Sequence, residues 1–198
     1  MMDEYLTIRS QAKSIYKDRN SKFIGLLYPI ENLDEVKNYL QIAKKEYYDA
    51  THHCYAYILG VEKEIQFDSD AGEPSGSAGK PILNALLSAD ITNILAVVVR
   101  YFGGTKLGIS GLINAYKSAT LLAIENSEII TKYIYDIFNV SIPYTQQQLF
   151  FNLQKKYEFE FEIINADNIG QDIQIKIRKS KRDLLIKDCD NIGFIISE

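Results

Sequence analysis

The sequence predicts an α+β protein of two domains. Three observations carry this. Apolar residues switch repeatedly between alternating and helical spacing. The pattern changes character between Asn126 and Tyr135. The last third of the chain reads in the order βαββαβ, that of a ferredoxin-like half-open sandwich.

The first segment reads as a strand pair, Ala12–Tyr16 and Lys22–Tyr28, around the polar turn Lys17–Ser21. Asn32 and Glu35 form a capping-box pattern. Leu33, Val36, Leu40 and Ala43 then keep a helical spacing. His52–Leu59 and Glu64–Asp68 read as a hairpin. A loop rich in glycine and proline follows, and Pro81 suits the first turn of a helix through Ser88. Ile94–Val99 is apolar on both faces, as a central buried strand should be. A helix from about Leu107 to Glu125 carries the stripe Ile109, Leu112, Ile113, Tyr116 and Ala123. These elements make a first domain over residues 1–130.

The second domain is expected over 135–198. Phe138, Val140 and Ile142 alternate, and Thr145 and Gln148 cap a helix through Tyr157. Glu158–Ile163 alternates Phe159, Phe161 and Ile163 with three glutamates, and the face of Phe159 and Phe161 is expected to pack on the helices. Ile173, Ile175 and Ile177 alternate with Gln174, Lys176 and Arg178. Lys176 and Arg178 are expected to pair across strands with the glutamates. That charged face does not suit the base-stacking surface of an RNA-recognition sheet. Ser180 and Asp183 are expected to cap a last helix before a strand at Phe194–Ile196.

Composition excludes several function classes. Residues 1–133 hold 14 Lys+Arg against 16 Asp+Glu, and 134–198 hold 8 against 10, so each part is −2. Strong nucleic-acid binders concentrate positive charge, so any such patch here is local. Cys54 and Cys189 lie far apart without a CxxC pair, which points to buried free thiols and not to zinc, redox chemistry or a disulfide. No cofactor is implied. The start, MMDEYLTIRSQ, lacks the features of a signal peptide. The longest apolar run falls far short of the ~18 residues of a membrane helix. A cytoplasmic protein without membrane contact is expected.

Two glycine-rich loops, Ala71–Pro81 and Arg100–Gly111, are the expected working surface. The first is not a phosphate-binding P-loop. Its Gly79-Lys80 would require glycine at 74 and Ser or Thr at 81, and both positions are proline. It still leads into a helix N-terminus, whose free N–H groups favour anions. Lys80 stands at that point. In the second loop Arg100, Tyr101 and Lys106 offer charge and a stacking face. The competing reading leaves the first loop as a demanding crossover with no ligand. In the second it has Tyr101 and Phe102 finishing the core while Arg100 pairs with an acid.

The strings HHCYAY, GEPSGSAGKPIL and VVVRYFGGTKLGISGLINAY, in that order, resemble the signature of the IMPACT family, including its bacterial YigZ-like members. The resemblance implies a first domain like the second domain of ribosomal protein S5, followed by a ferredoxin-like domain. This pair resembles the last two domains of the translocation elongation factor. It also implies a place in translational control, where eukaryotic relatives restrain a starvation-sensing kinase through an extra N-terminal domain. Three departures stand out: Ala71 where the family has an acid, Ser110 for a glycine, and Asn114 for an arginine. The last removes a cation from the expected surface.

Adjacent residues in a strand point to opposite faces, so His52 and His53 are not expected to serve one metal together. One of them faces the loops near Asp70, Glu73 and Lys80. The leading expectation is a non-catalytic, translation-associated module that contacts RNA, the ribosome or a regulatory protein. Its contacts would come from His52 or His53, Asp70, Glu73, Ser75, Ser77, Lys80, Arg100, Tyr101 and Lys106. The alternative is a small-substrate, peptidase-like hydrolase using Glu73 and a histidine as acid and base. No catalytic or metal-binding set is complete in the sequence.

Overall fold

A computed structural model describes residues 3–197. It divides into two compact units, one of residues 5–132 and the other of residues 3–4 with 133–197. The α+β expectation holds in both.

In the larger unit, β1 (Glu4–Ile8) precedes β2 (Ala12–Asp18), β3 (Ser21–Pro29), α1 (Leu33–Glu46), β4 (His52–Leu59), β5 (Ile65–Ser69), α2 (Gly79–Ser88), β6 (Ile94–Tyr101), α3 (Gly108–Glu125) and β7 (Ile129–Tyr133). The main sheet has the order β2-β3-β6-β4-β5, with every neighbouring pair antiparallel. Asn32 caps α1, while Glu35 reaches one residue further back than a capping box does. The Asn32 side chain accepts from the N–H groups of Asp34 and Glu35, and Glu35 accepts from Glu31 N–H.

The sheet is covered on both faces. Phe23, Cys54, Ile58, Ala96 and Val98 pack under α2 and α3. Ile24, Leu26, Leu95, Val97 and Val99 pack with Val36 and Ala43 of α1. This explains the unbroken apolar run of β6. It also assigns faces by parity: Arg100 and His52 belong to the α2/α3 side, Tyr101 and His53 to the α1 side. On α3 the expected stripe is displaced. Leu112, Ala115, Tyr116, Ala119 and Ala123 are buried, while Ile109 and Ile113 are exposed. The small alanines let the helix lie close to the sheet.

Gly25 in β3 shows how close. A Cβ there would sit 2.6 Å from the Ala119 carbonyl oxygen and 2.6 Å from Ser14 Oγ. Ser14 itself donates to that carbonyl at 2.7 Å.

The smaller unit contains β8 (Tyr135–Pro143), α4 (Gln147–Tyr157), β9 (Glu160–Ala166), β10 (Gly170–Arg178), α5 (Lys179–Ile192) and β11 (Ile195–Ser197). Its sheet order, β11-β8-β10-β9, is ferredoxin-like. Lys176 meets Glu160 across strands as expected, at 2.9 Å. Three expectations fail here. Glu158 is the left-handed cap of α4 (φ 59°), so the strand starts later. β9 is the outermost strand, so Phe161 and Ile163 are exposed while Phe159 is buried. No side chain caps α4 or α5. Ser180 and Arg178 instead bond Asp3.

Among the described residues no helix is long and apolar enough to cross a membrane. Cys54 and Cys189 are free and buried.

The close approach at Gly25 is testable. Gly25→Ala should lower stability by about 2 kcal/mol, the usual cost of overpacking, read as an earlier urea midpoint of the larger unit.

Candidate functional site

β5 and β6 are each antiparallel to β4, so they run in the same direction. The chain therefore leaves both at the same end of the sheet. The loops 71–81 and 100–111 follow from those ends, and the helices they lead into pack on one face.

A buried ion pair ties them together. Glu73 from the first loop lies 2.5 Å from Arg100 Nη1 at the end of β6, and their side chains are only 4% and 7% exposed. Tyr116 of α3 donates its hydroxyl to the same Glu73 oxygen at 2.8 Å. The Arg100 guanidinium lies 5.4 Å from both the Phe23 and Phe102 ring centroids, a cation–π arrangement. His52 sits directly across from Arg100 in the β4–β6 register. Its Nε2 is 4.0 Å from Glu73, and its Nδ1 is 2.9 Å from the Ala71 carbonyl. A carbonyl only accepts, so Nδ1 carries a proton.

Cys54 joins this layer. Its sulfur lies 2.9 Å from the Asp70 carbonyl oxygen and 3.3 Å from the Tyr116 hydroxyl. Burial pushes the Cys54 thiol up to about 12 and keeps the Tyr116 phenol neutral as well. Neither is poised as a nucleophile or base.

The α2 N-terminus is already occupied by the protein's own anion. Asp70 Oδ1 accepts from Ala78 and Gly79 N–H at 2.9 and 2.8 Å, and Oδ2 accepts from Gly76 N–H at 2.7 Å. Burial opposes its charge, but the bonds from Gly76, Gly79 and Ala78 outweigh it and hold the carboxyl below the usual range. Gly79 is needed for the close approach, since a Cβ there would fall 2.6 Å from Ser69 N. The α2 N-terminus thus has its anion supplied by the chain itself. The departure at Ala71 leaves the cap intact, because Asp70 supplies both oxygens.

The structure therefore divides the expected site residues. His52, Glu73 and Arg100 converge, but on one another. Arg100 pairs with an acid, as the competing reading had it. Asp70 is spent on the helix cap. Ser77 is fully buried and donates to the Pro74 carbonyl at 2.6 Å. His53 and Tyr101 face the α1 side, and Tyr101 donates to Asp49 at 2.8 Å. Burial holds His53 below the usual imidazole range. Ser75, Lys80 and Lys106 remain exposed at the loops.

Sequence reasoning missed Lys117. It lines a groove of about 310 Å³ between α2 and α3 together with Lys80, Asn84, Ser88 and Ile113. Asn114, where the family's arginine is absent, lies one helical turn before Lys117 on exposed α3 surface. Residues 74–89 and 101–124 contain no Asp or Glu, only Lys80, Lys106 and Lys117. None of the three has an ion-pair partner among the described residues. That signal was available in the sequence as two acid-free stretches.

The chain is similar to several known proteins. A family model, the Impact N-terminal domain, matches residues 19–124. The chain is 35% identical over 145 residues to the IMPACT family member YvyE of Bacillus subtilis (strain 168), covering 73% of this chain and 67% of that protein. It is 37% identical over 161 residues to an IMPACT family member of Haemophilus influenzae, covering 80% and 78%. A crystal structure of a hypothetical protein is similar over 100% of this chain and 98% of its own, with 27% identity and a TM-score of 0.71.

The Asp70 cap gives a prediction. Asp70→Ala strands three N–H donors and should cost about 2 kcal/mol. The folded carboxyl titrates below its unfolded value of about 3.9, so its contribution is complete well above that pH and fades as pH falls through the folded value. The difference between native and variant urea midpoints should therefore shrink below about pH 4.

Proposed function

The chain belongs to the IMPACT family, and from that membership and the loop geometry we propose that it is a non-catalytic, translation-associated module whose α2/α3 face binds structured RNA. The observation that carries this is the run of unpaired lysines on the two helices. The chain as a whole is −4, yet residues 74–89 and 101–124 hold Lys80, Lys106 and Lys117, none in an ion pair among the described residues, and no Asp or Glu, while the unpaired acid Asp68 lies beside the α2 N-terminus. Lys80 and Lys117 stand along one groove, and Lys106 stands at the start of α3. Such a face attracts phosphates whatever the net charge.

The hydrolase reading fares worse. It needs Glu73 as a free base near a histidine. Glu73 is within reach of His52, but its near oxygen is held by Arg100 and Tyr116 and is closed to solvent. That oxygen already accepts two hydrogen bonds inside the protein, so it is not placed to take a proton from a substrate.

The reading predicts phosphate contacts without base stacking. Tyr101 stands on the far face, so sequence preference should be slight. Fluorescence anisotropy with a labelled hairpin RNA should show affinity falling with salt, with a log–log slope of roughly −2 to −3 for three contacts. Each of Lys80→Ala, Lys106→Ala and Lys117→Ala should reduce that slope by about 1. No binding at low salt, or a slope indifferent to these changes, contradicts the proposal and leaves a protein partner as the reading to pursue.

A further inference from the structure

Strand β5 is an open edge over Ile65–Phe67, while Asp68 turns to the α2 side and Ser69 lies against Gly79. Folded proteins protect exposed strand edges with lysines, prolines, bulges, inward charges or short length. The other edges of the two larger sheets follow this rule. β2 carries Lys13 and Lys17, β9 carries Glu160 and Glu162, and β11 has three residues. β5 reads IQFDS, bonded to β4 along one side only, with Ile65 and Phe67 47% and 45% exposed.

The side-chain surface beside that edge is aromatic. Phe67 pairs directly with Tyr57 across the ladder, their rings 5.5 Å apart and within 19° of parallel. Tyr55 adds a third ring 5.9 Å from Phe67. The neighbouring charge is negative. Glu62 and Glu64 in the β4–β5 turn have no ion-pair partner among the described residues, while Lys63 between them is held by Asp90.

We infer that β5 is a docking strand for an extended basic segment of another protein, which adds to the free edge as a sixth strand. Main-chain hydrogen bonds to the edge supply affinity in such strand addition, and alternate side chains supply specificity. Here those side chains are arginine or lysine. Their cations meet the Tyr57/Phe67 rings and the turn carboxylates, while their stems cover Ile65. The complementarity of charge selects a basic segment over a second copy of this chain, whose own β4–β5 turn repeats the same acids. The surface is separate from the lysine face and does not depend on the RNA reading.

The test uses two labelled ten-residue peptides, one alternating Arg with Val and one alternating Glu with Val, added to the full chain. Anisotropy should show the arginine peptide binding at least tenfold more tightly. Phe67→Ala should weaken it about fivefold to tenfold. Glu62→Gln with Glu64→Gln should weaken it and flatten its salt dependence. Both variants should retain the native circular dichroism spectrum, since these side chains are at the surface. Amide exchange should show new protection confined to Ile65–Ser69, and Lys80→Ala with Lys117→Ala should leave binding unchanged. Equal binding of the two peptides, affinity indifferent to Phe67→Ala, or protection elsewhere overturns the inference. So does a peptide-free dimer in sedimentation velocity that Phe67→Ala abolishes, because the occupant is then a second copy.

Discussion

Arg100 ends the central strand on a face where Ile94, Ala96 and Val98, the residues of the same parity, are all buried and apolar. A guanidinium in that position is closed off from water and needs a counter-charge. Glu73 supplies it from the neighbouring loop, and Tyr116 supplies a second hydrogen bond to the same carboxylate. Buried pairs of this kind add little net stability over apolar residues, but losing one partner costs about 3–5 kcal/mol because the other charge is left alone. The consequence is positional. The 71–81 loop can take only the path that brings Glu73 to the end of β6, and the 100–111 loop leaves from that same point. His52, Cys54, Glu73, Gly79, Arg100 and Tyr116 come from the three motif strings that mark the family, and they meet in this one layer.

The electrostatics of the outer surface follow from the inner pairing. Two acids at the first loop are spent internally, Glu73 on Arg100 and Asp70 on the α2 N-terminus. The lysines of the adjoining helices are left without partners. A chain of net negative charge thereby carries three lysines on and beside α2 and α3 that no acid holds. Exposed glycines at 76, 104 and 108, each at positive φ with open space around it, leave the backbone near those lysines unobstructed.

Much of this fold was legible because burial writes itself as periodicity. The N-cap at Asn32, the double-sided apolar run of β6 and the βαββαβ order all rest on local pattern. Contacts that close over long sequence separations were not legible. Nothing local in Asp70 announces that it bonds Gly76, Ala78 and Gly79, nor that Asp3 takes the place expected of a cap near Ser180. Parity could have gone further than it did. The small residues Cys54 and Ala56 flank the crowded α2/α3 side, which places His52 there with Arg100 and sends His53 and Tyr101 away. The β9 error has another cause. Alternation identifies an apolar face but not whether a helix reaches the outermost strand to cover it.

The central claim is that the Glu73–Arg100 pair holds both loops as one surface. Amide hydrogen exchange on Glu73→Gln and on Arg100→Met tests it directly. Each substitution lies in only one loop, yet each should speed exchange at least about tenfold in both segments 71–81 and 100–111, while the smaller unit keeps its native protection. Faster exchange confined to the loop that carries the substitution would contradict the claim.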